Sequence, residues 1–137
     1  MTDERPPQLD LELVHSFVLK AHSDLNAVRD LLALEPELVN AAWDWGGGDW
    51  ETGLGAAAHT GRREIALHLL DRGARLDVFA AAMLGYTDVV RETLAARPEM
   101  RSAQGPHGIP LLVHAEKGGE HARDVVELLE AAGVPAP

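Results

Sequence analysis

The chain has 137 residues, with 12 Lys+Arg against 22 Asp+Glu for a formal charge of −10, and no Cys. That length suits one domain with a real core and is too short for two, and the acidic balance opposes binding to nucleic-acid phosphates or anionic membranes. Lack of Cys removes disulfides, thiol nucleophiles and thiolate metal sites together and suits a reducing compartment, so a cytoplasmic protein with neither nucleic acid nor membrane as partner is expected.

Hydrophobic residues make up 46% of the chain but aromatics only 4%. Val, Ile, Tyr and Phe are therefore too sparse for an all-β core, and the balance favours helices packed closely through small side chains. Met1 to Pro7 is acidic with no apolar run behind it, so residues 1–8 are expected to be a disordered segment, neither a signal peptide nor a membrane span.

From residue 9 the chain repeats itself. Leu31-Leu32-Ala33-Leu34-Glu35-Pro36, Leu69-Leu70-Asp71-Arg72-Gly73-Ala74, Thr93-Leu94-Ala95-Ala96-Arg97-Pro98 and Leu128-Leu129-Glu130-Ala131-Ala132-Gly133 align as four helix ends. Each stops at a Gly able to take left-handed φ or just before a helix-ending Pro. Upstream of these ends, Ala57-Ala58-His59-Thr60-Gly61, Ala81-Ala82-Met83-Leu84-Gly85 and His114-Ala115-Glu116-Lys117-Gly118 share a second block. Lys20-Ala21-His22-Ser23-Asp24 is its first copy, with Asp24 as N-cap of the following helix in place of Gly. Apolar residues of period 3.6 follow in each unit: Val28, Leu31, Leu32; Ile65, Leu69, Leu70; Val89, Val90, Leu94; Val125, Val126, Leu128, Leu129. Each unit reads as two helices around a tight turn, and such pairs bury their stripes by stacking.

Thr52-Gly53-Leu54-Gly55-Ala56-Ala57-Ala58-His59-Thr60-Gly61, continued through Arg62 to Ala74, resembles the ankyrin-repeat family, whose unit of about 33 residues opens Thr-Pro-Leu-His-x-Ala. Ile109-Pro110-Leu111-Leu112 opens the fourth unit similarly. The resemblance covers residues 9–137 and implies an all-α ankyrin-repeat helical solenoid, a single domain of four helix-turn-helix units at about 9–42, 51–75, 76–101 and 108–137. Between units the fingers are irregular: the first is lengthened, the third unit has lost its own, and the fourth unit carries extra residues at its mid-turn within Gly119 to Arg123. The expected core comprises Leu31, Leu32, Leu54, Ala57, Ala58, Ile65, Leu69, Leu70, Ala81, Ala82, Val89, Leu94, Leu111, Val125, Val126 and Leu129.

All three Trp lie in the long first finger, Trp43-Asp44-Trp45-Gly46-Gly47-Gly48-Asp49-Trp50-Glu51-Thr52. Rigid aromatics in a polar loop make good recognition anchors, and the same rings could fold inward as core. Asp44, Asp49 and Glu51 match no calcium-loop spacing, and no catalytic residue is expected. Nor does any of the seven His stand in a ligand run such as His-Glu-x-x-His, so no metal or other cofactor is expected. His22 and His59 do occupy equivalent repeat positions. The resemblance implies a non-catalytic protein–protein interaction module, monomeric, that meets another protein of neutral or basic surface through Trp43, Asp44, Trp45, Asp49, Trp50, His59, Arg101 and His107. The alternative is a small-ligand-binding domain with a pocket under the 43–51 finger, distinguished by whether the Trp side chains spread outward or converge with Asp44, Asp49 and His59.

Overall fold

The computed structural model describes residues 4–135. Part of the expected disordered start, residues 1–3, lies outside the described residues, and 4–8 form neither helix nor strand. The fold is mostly helical: α1 Leu11–Lys20, α2 Leu25–Leu34, α3 Gly53–His59, α4 Arg63–Asp71, α5 Val78–Leu84, α6 Thr87–Ala96, α7 Leu111–Lys117 and α8 Arg123–Ala131. One short antiparallel hairpin, β1 Ala42–Asp44 and β2 Trp50–Thr52, interrupts them in the register Ala42–Thr52, Trp43–Glu51, Asp44–Trp50. No helix among the described residues is long and apolar enough to cross a membrane.

Side chains start several of these helices. Asp10, Asp24, Thr52 and Asp77 each accept a hydrogen bond from the backbone N–H three residues on, at 2.8–3.1 Å, satisfying a donor that the first helical turn leaves free. Asp24 does so where the other copies of its block carry Gly. Consecutive helices pair as α1 with α2, α3 with α4, α5 with α6 and α7 with α8, and the first members line up with α1 on α3, α3 on α5 and α5 on α7. Small side chains permit this close approach. Gly53, Gly55 and Ala56–Ala58 of α3 and Ala80–Ala82 of α5 are all fully buried, and a Cβ on Gly53 would stand 2.7 Å from the Phe17 ring.

The core is a strip that α5 divides. On one side Phe17, Val18, Val28, Leu38, Leu54, Ile65, Leu69 and Met83 pack together, and on the other Val90, Leu111, Leu112, Val125 and Leu129. Two expectations need correction. Val89 is exposed and its neighbour Val90 takes the inward position, while Leu31, Leu70, Leu94 and Val126 are half-buried. The second helix of a pair meets its partner along a narrow stripe, so only the centre of its apolar face is sealed.

Arg62 and Arg63, the one adjacent basic pair, tie neighbouring units. Arg62 Nε donates to the His22 carbonyl at 3.2 Å and Arg63 Nη1 to the Leu84 carbonyl at 2.9 Å. Asn40 bridges similarly, donating to the Gly73 carbonyl and accepting from the Arg75 N–H.

Gly85 closes α5 at φ +82, and a Cβ there would run into the His121 carbonyl oxygen. Gly73, also at positive φ, has open space around it. Gly85→Ala should therefore cost about 3 kcal/mol or more in urea unfolding, from backbone strain plus overpacking, against about 1–2 kcal/mol for Gly73→Ala.

Candidate functional site

The first finger is a defined hairpin. Asp44 Oδ1 accepts from the N–H groups of Gly46 and Gly48 at 2.8 and 3.0 Å, and the three glycines that follow it turn at positive φ. Pairing in the hairpin sends alternate residues of β2 to opposite faces. Trp50 is 60% exposed and Glu51 is 1% exposed.

Glu51 is the centre of the site. Trp45 Nε1 donates to Glu51 Oε1 at 2.9 Å. His22 Nε2 stands 3.2 Å from the same oxygen, and His59 Nε2 and His107 Nε2 stand 2.9 and 3.3 Å from Oε2. The groups come from four places: the α1–α2 turn (His22), the hairpin (Trp45, Glu51), the end of α3 (His59) and the 103–110 finger (His107). His22 Nδ1 faces the carbonyls of Val18 and Leu19 at 3.0 and 3.1 Å, which orients its ring. His107, at φ +62, is clamped by Asp49, whose Oδ1 accepts from the His107 backbone N–H at 2.7 Å while Oδ2 lies 2.6 Å from Nδ1. The rings also meet edge to face, His59 against both His22 and His107, and Trp45 against His22.

Electrostatics follow from this packing. Burial is the largest single influence on the Glu51 carboxyl and would raise its pKa, but His22 and His59, the charge on His22 and the Trp45 N–H together outweigh it and hold the group at about 2. Pairing with Glu51 raises His22 above 6.5 against the opposing effect of burial. The backbone N–H of His107, helped by its ring, holds Asp49 below the usual carboxylate range.

Of the residues expected to meet a partner, Trp45, Asp49, His59 and His107 converge here. Trp43 stacks on His15 with ring centroids 4.6 Å apart and packs against the core, and Asp44 shapes the turn. Arg101 binds the carbonyls of Pro98 and Ala132 and joins the last unit. Two members of the cluster, His22 and Glu51, were not among the expected site residues. The matching repeat positions of His22 and His59 were the one available signal. His114 is a separate buried histidine, bonded through Nδ1 to the Pro110 carbonyl and pushed down by burial.

No protein-family model matches the chain, and no curated protein does either. The likeness to ankyrin repeats thus stands on its own residues.

Two predictions follow from the cluster. A depressed Glu51 contributes stability that is complete above about pH 4.5 and lost as pH falls toward 2, and a raised His22 contributes stability that is complete below about pH 6.5 and lost as pH rises through its folded value. In metal-free buffer the thermal midpoint should therefore fall on both sides of that window, and Glu51→Gln should flatten both limbs and cost about 3 kcal/mol within it; a variant profile of unchanged shape would refute the assignment. Among the tryptophans, Trp45→Ala should cost about 3 kcal/mol and Trp50→Ala under about 0.5 kcal/mol in denaturant unfolding.

Proposed function

We propose that this chain is a non-catalytic interaction domain, an ankyrin-like stack of four helix pairs that takes a protein partner on the side formed by the hairpin and the 103–110 finger. The side-by-side packing of α1, α3, α5 and α7, with their partners behind and the fingers between units, supports the stack. The observation that carries the interaction reading is Trp50. Its indole is 60% exposed on a hairpin held rigid by Glu51 and Asp44, beside an open groove of about 410 Å³ lined by Asp49, Asp77, Phe79 and Pro106.

A preorganised aromatic costs little entropy on binding, and two carboxylates beside it in a chain of net charge −10 favour a basic partner. The partner segment is thus a peptide with Lys or Arg flanking one apolar anchor. A monomer working in the cytoplasm is consistent with the Cys-free, acidic composition. The small-ligand alternative draws support from Trp45, which converges with Asp49 and His59, and from a groove of about 440 Å³ between the hairpin and α1, lined by Leu9, Val14, Trp43 and Trp50; on the Glu51 side of the hairpin the rings of the cluster fill the space.

Selection from a displayed peptide library tests this reading. Selected peptides should be rich in Lys and Arg, shift the Trp50 indole N–H resonance, lose affinity as salt rises and bind Trp50→Ala at least about 10-fold more weakly, the loss of a modest hot spot. Peptides that bind Trp50→Ala equally well would overturn it.

A further inference from the structure

We propose that His22, Glu51, His59 and His107 form a binding site for one divalent transition-metal ion of the zinc class. The four side chains each present one ligand atom, and these atoms all lie within 4.8 Å of one another. A tetrahedron with arms of about 2.0–2.1 Å has edges of about 3.4 Å. The separations of 2.9 and 3.3 Å from Glu51 Oε2 to the Nε2 atoms of His59 and His107 are close to that edge, and His22 Nε2 stands 3.2 Å from the other carboxylate oxygen.

Two features separate this cluster from an ordinary ion-pair network. Glu51 Oε2 and His59 Nε2 are both buried and lie 2.9 Å apart, yet neither makes a hydrogen bond of acceptable geometry. Atoms so placed suit ligands aimed at a shared third point, whereas buried polar atoms in a finished structural network are paired. The surroundings also set the ligands as a metal site requires. A ligating imidazole hands its other ring N–H to a carbonyl or carboxylate. His22 Nδ1 has the Val18 and Leu19 carbonyls and His107 Nδ1 has Asp49 Oδ2, so in the neutral rings the Nε2 lone pairs face the cluster. Trp45 takes up Glu51 Oε1 and leaves Oε2 toward His59 and His107.

Three imidazoles and one carboxylate select zinc, cobalt or nickel over calcium or magnesium, which require mostly oxygen ligands. Four protein ligands fill a tetrahedral shell, so the ion is structural and pins the hairpin, the α1–α2 turn, the end of α3 and the 103–110 finger at one point. His22 and His107, with side chains 23% and 31% exposed, give it access from solvent. This site is independent of the partner reading and stands or falls without it.

The test is calorimetric titration of the untagged, EDTA-treated full chain with zinc chloride. Binding at one ion per chain, micromolar or tighter, is expected, with a raised thermal midpoint, no competition from excess Mg²⁺ or Ca²⁺, and with Co²⁺ the intense visible bands of four-coordinate cobalt. His59→Gln and His107→Gln should each weaken zinc binding at least about 100-fold, Asp49→Asn about 10–100-fold, and His68→Gln and His121→Gln not at all. His107→Gln, on a partly exposed finger, keeps the test decisive if His59→Gln fails to fold. No one-to-one binding, equal competition by Mg²⁺, or affinity unchanged in His59→Gln and His107→Gln would overturn the proposal.

Discussion

A carboxylate removed from water costs several kcal/mol unless polar or charged partners face it, and Glu51 draws such partners from four separate parts of this chain. Trp45 comes with it on the hairpin, but His22, His59 and His107 arrive from the α1–α2 turn, the end of α3 and the 103–110 finger. The hairpin cannot lift away without exposing the pairs or stranding the charge. The finger of highest glycine content is in this way held in one conformation, and the exposed Trp50 ring on its opposite face is presented from a fixed support.

The short connection between α4 and α5 makes that convergence possible. Only Arg72 to Asp77 join α4 to α5, so nothing stands between the hairpin and the 103–110 finger. Asp49 and His107, 58 residues apart, meet directly across the gap. His107 adopts positive φ there, a conformation His tolerates better than most residues, and the two bonds to Asp49 offset what it costs. That short connection thus opens the gap in which His22, Glu51, His59 and His107 gather.

Beneath the fingers, the close packing of α3 between α1 and α5 depends on residues with little or no side chain. Larger ones would separate the helices and draw His22 and His59 apart, since the first precedes α2 and the second ends α3. Packing and polar cluster are coupled through those two helix ends.

The sequence alone determined the helical units, because period-3.6 stripes, Asp and Thr caps and Gly or Pro stops are local signals whose physics does not depend on the rest of the chain. The long segment that forms the 42–52 hairpin, the short connection between α4 and α5 and the Asp24 cap were all readable from spacing. The core was legible at its centre and wrong at its edge, where Val89 and Val90 differ by one position and only packing decides which turns inward. The cluster was not legible. His22, Glu51, His59 and His107 span 86 residues with no motif spacing, and each by itself reads as an ordinary polar residue near a turn. Only the tertiary structure, by stacking the turns and letting two fingers meet, brought their side chains to one point.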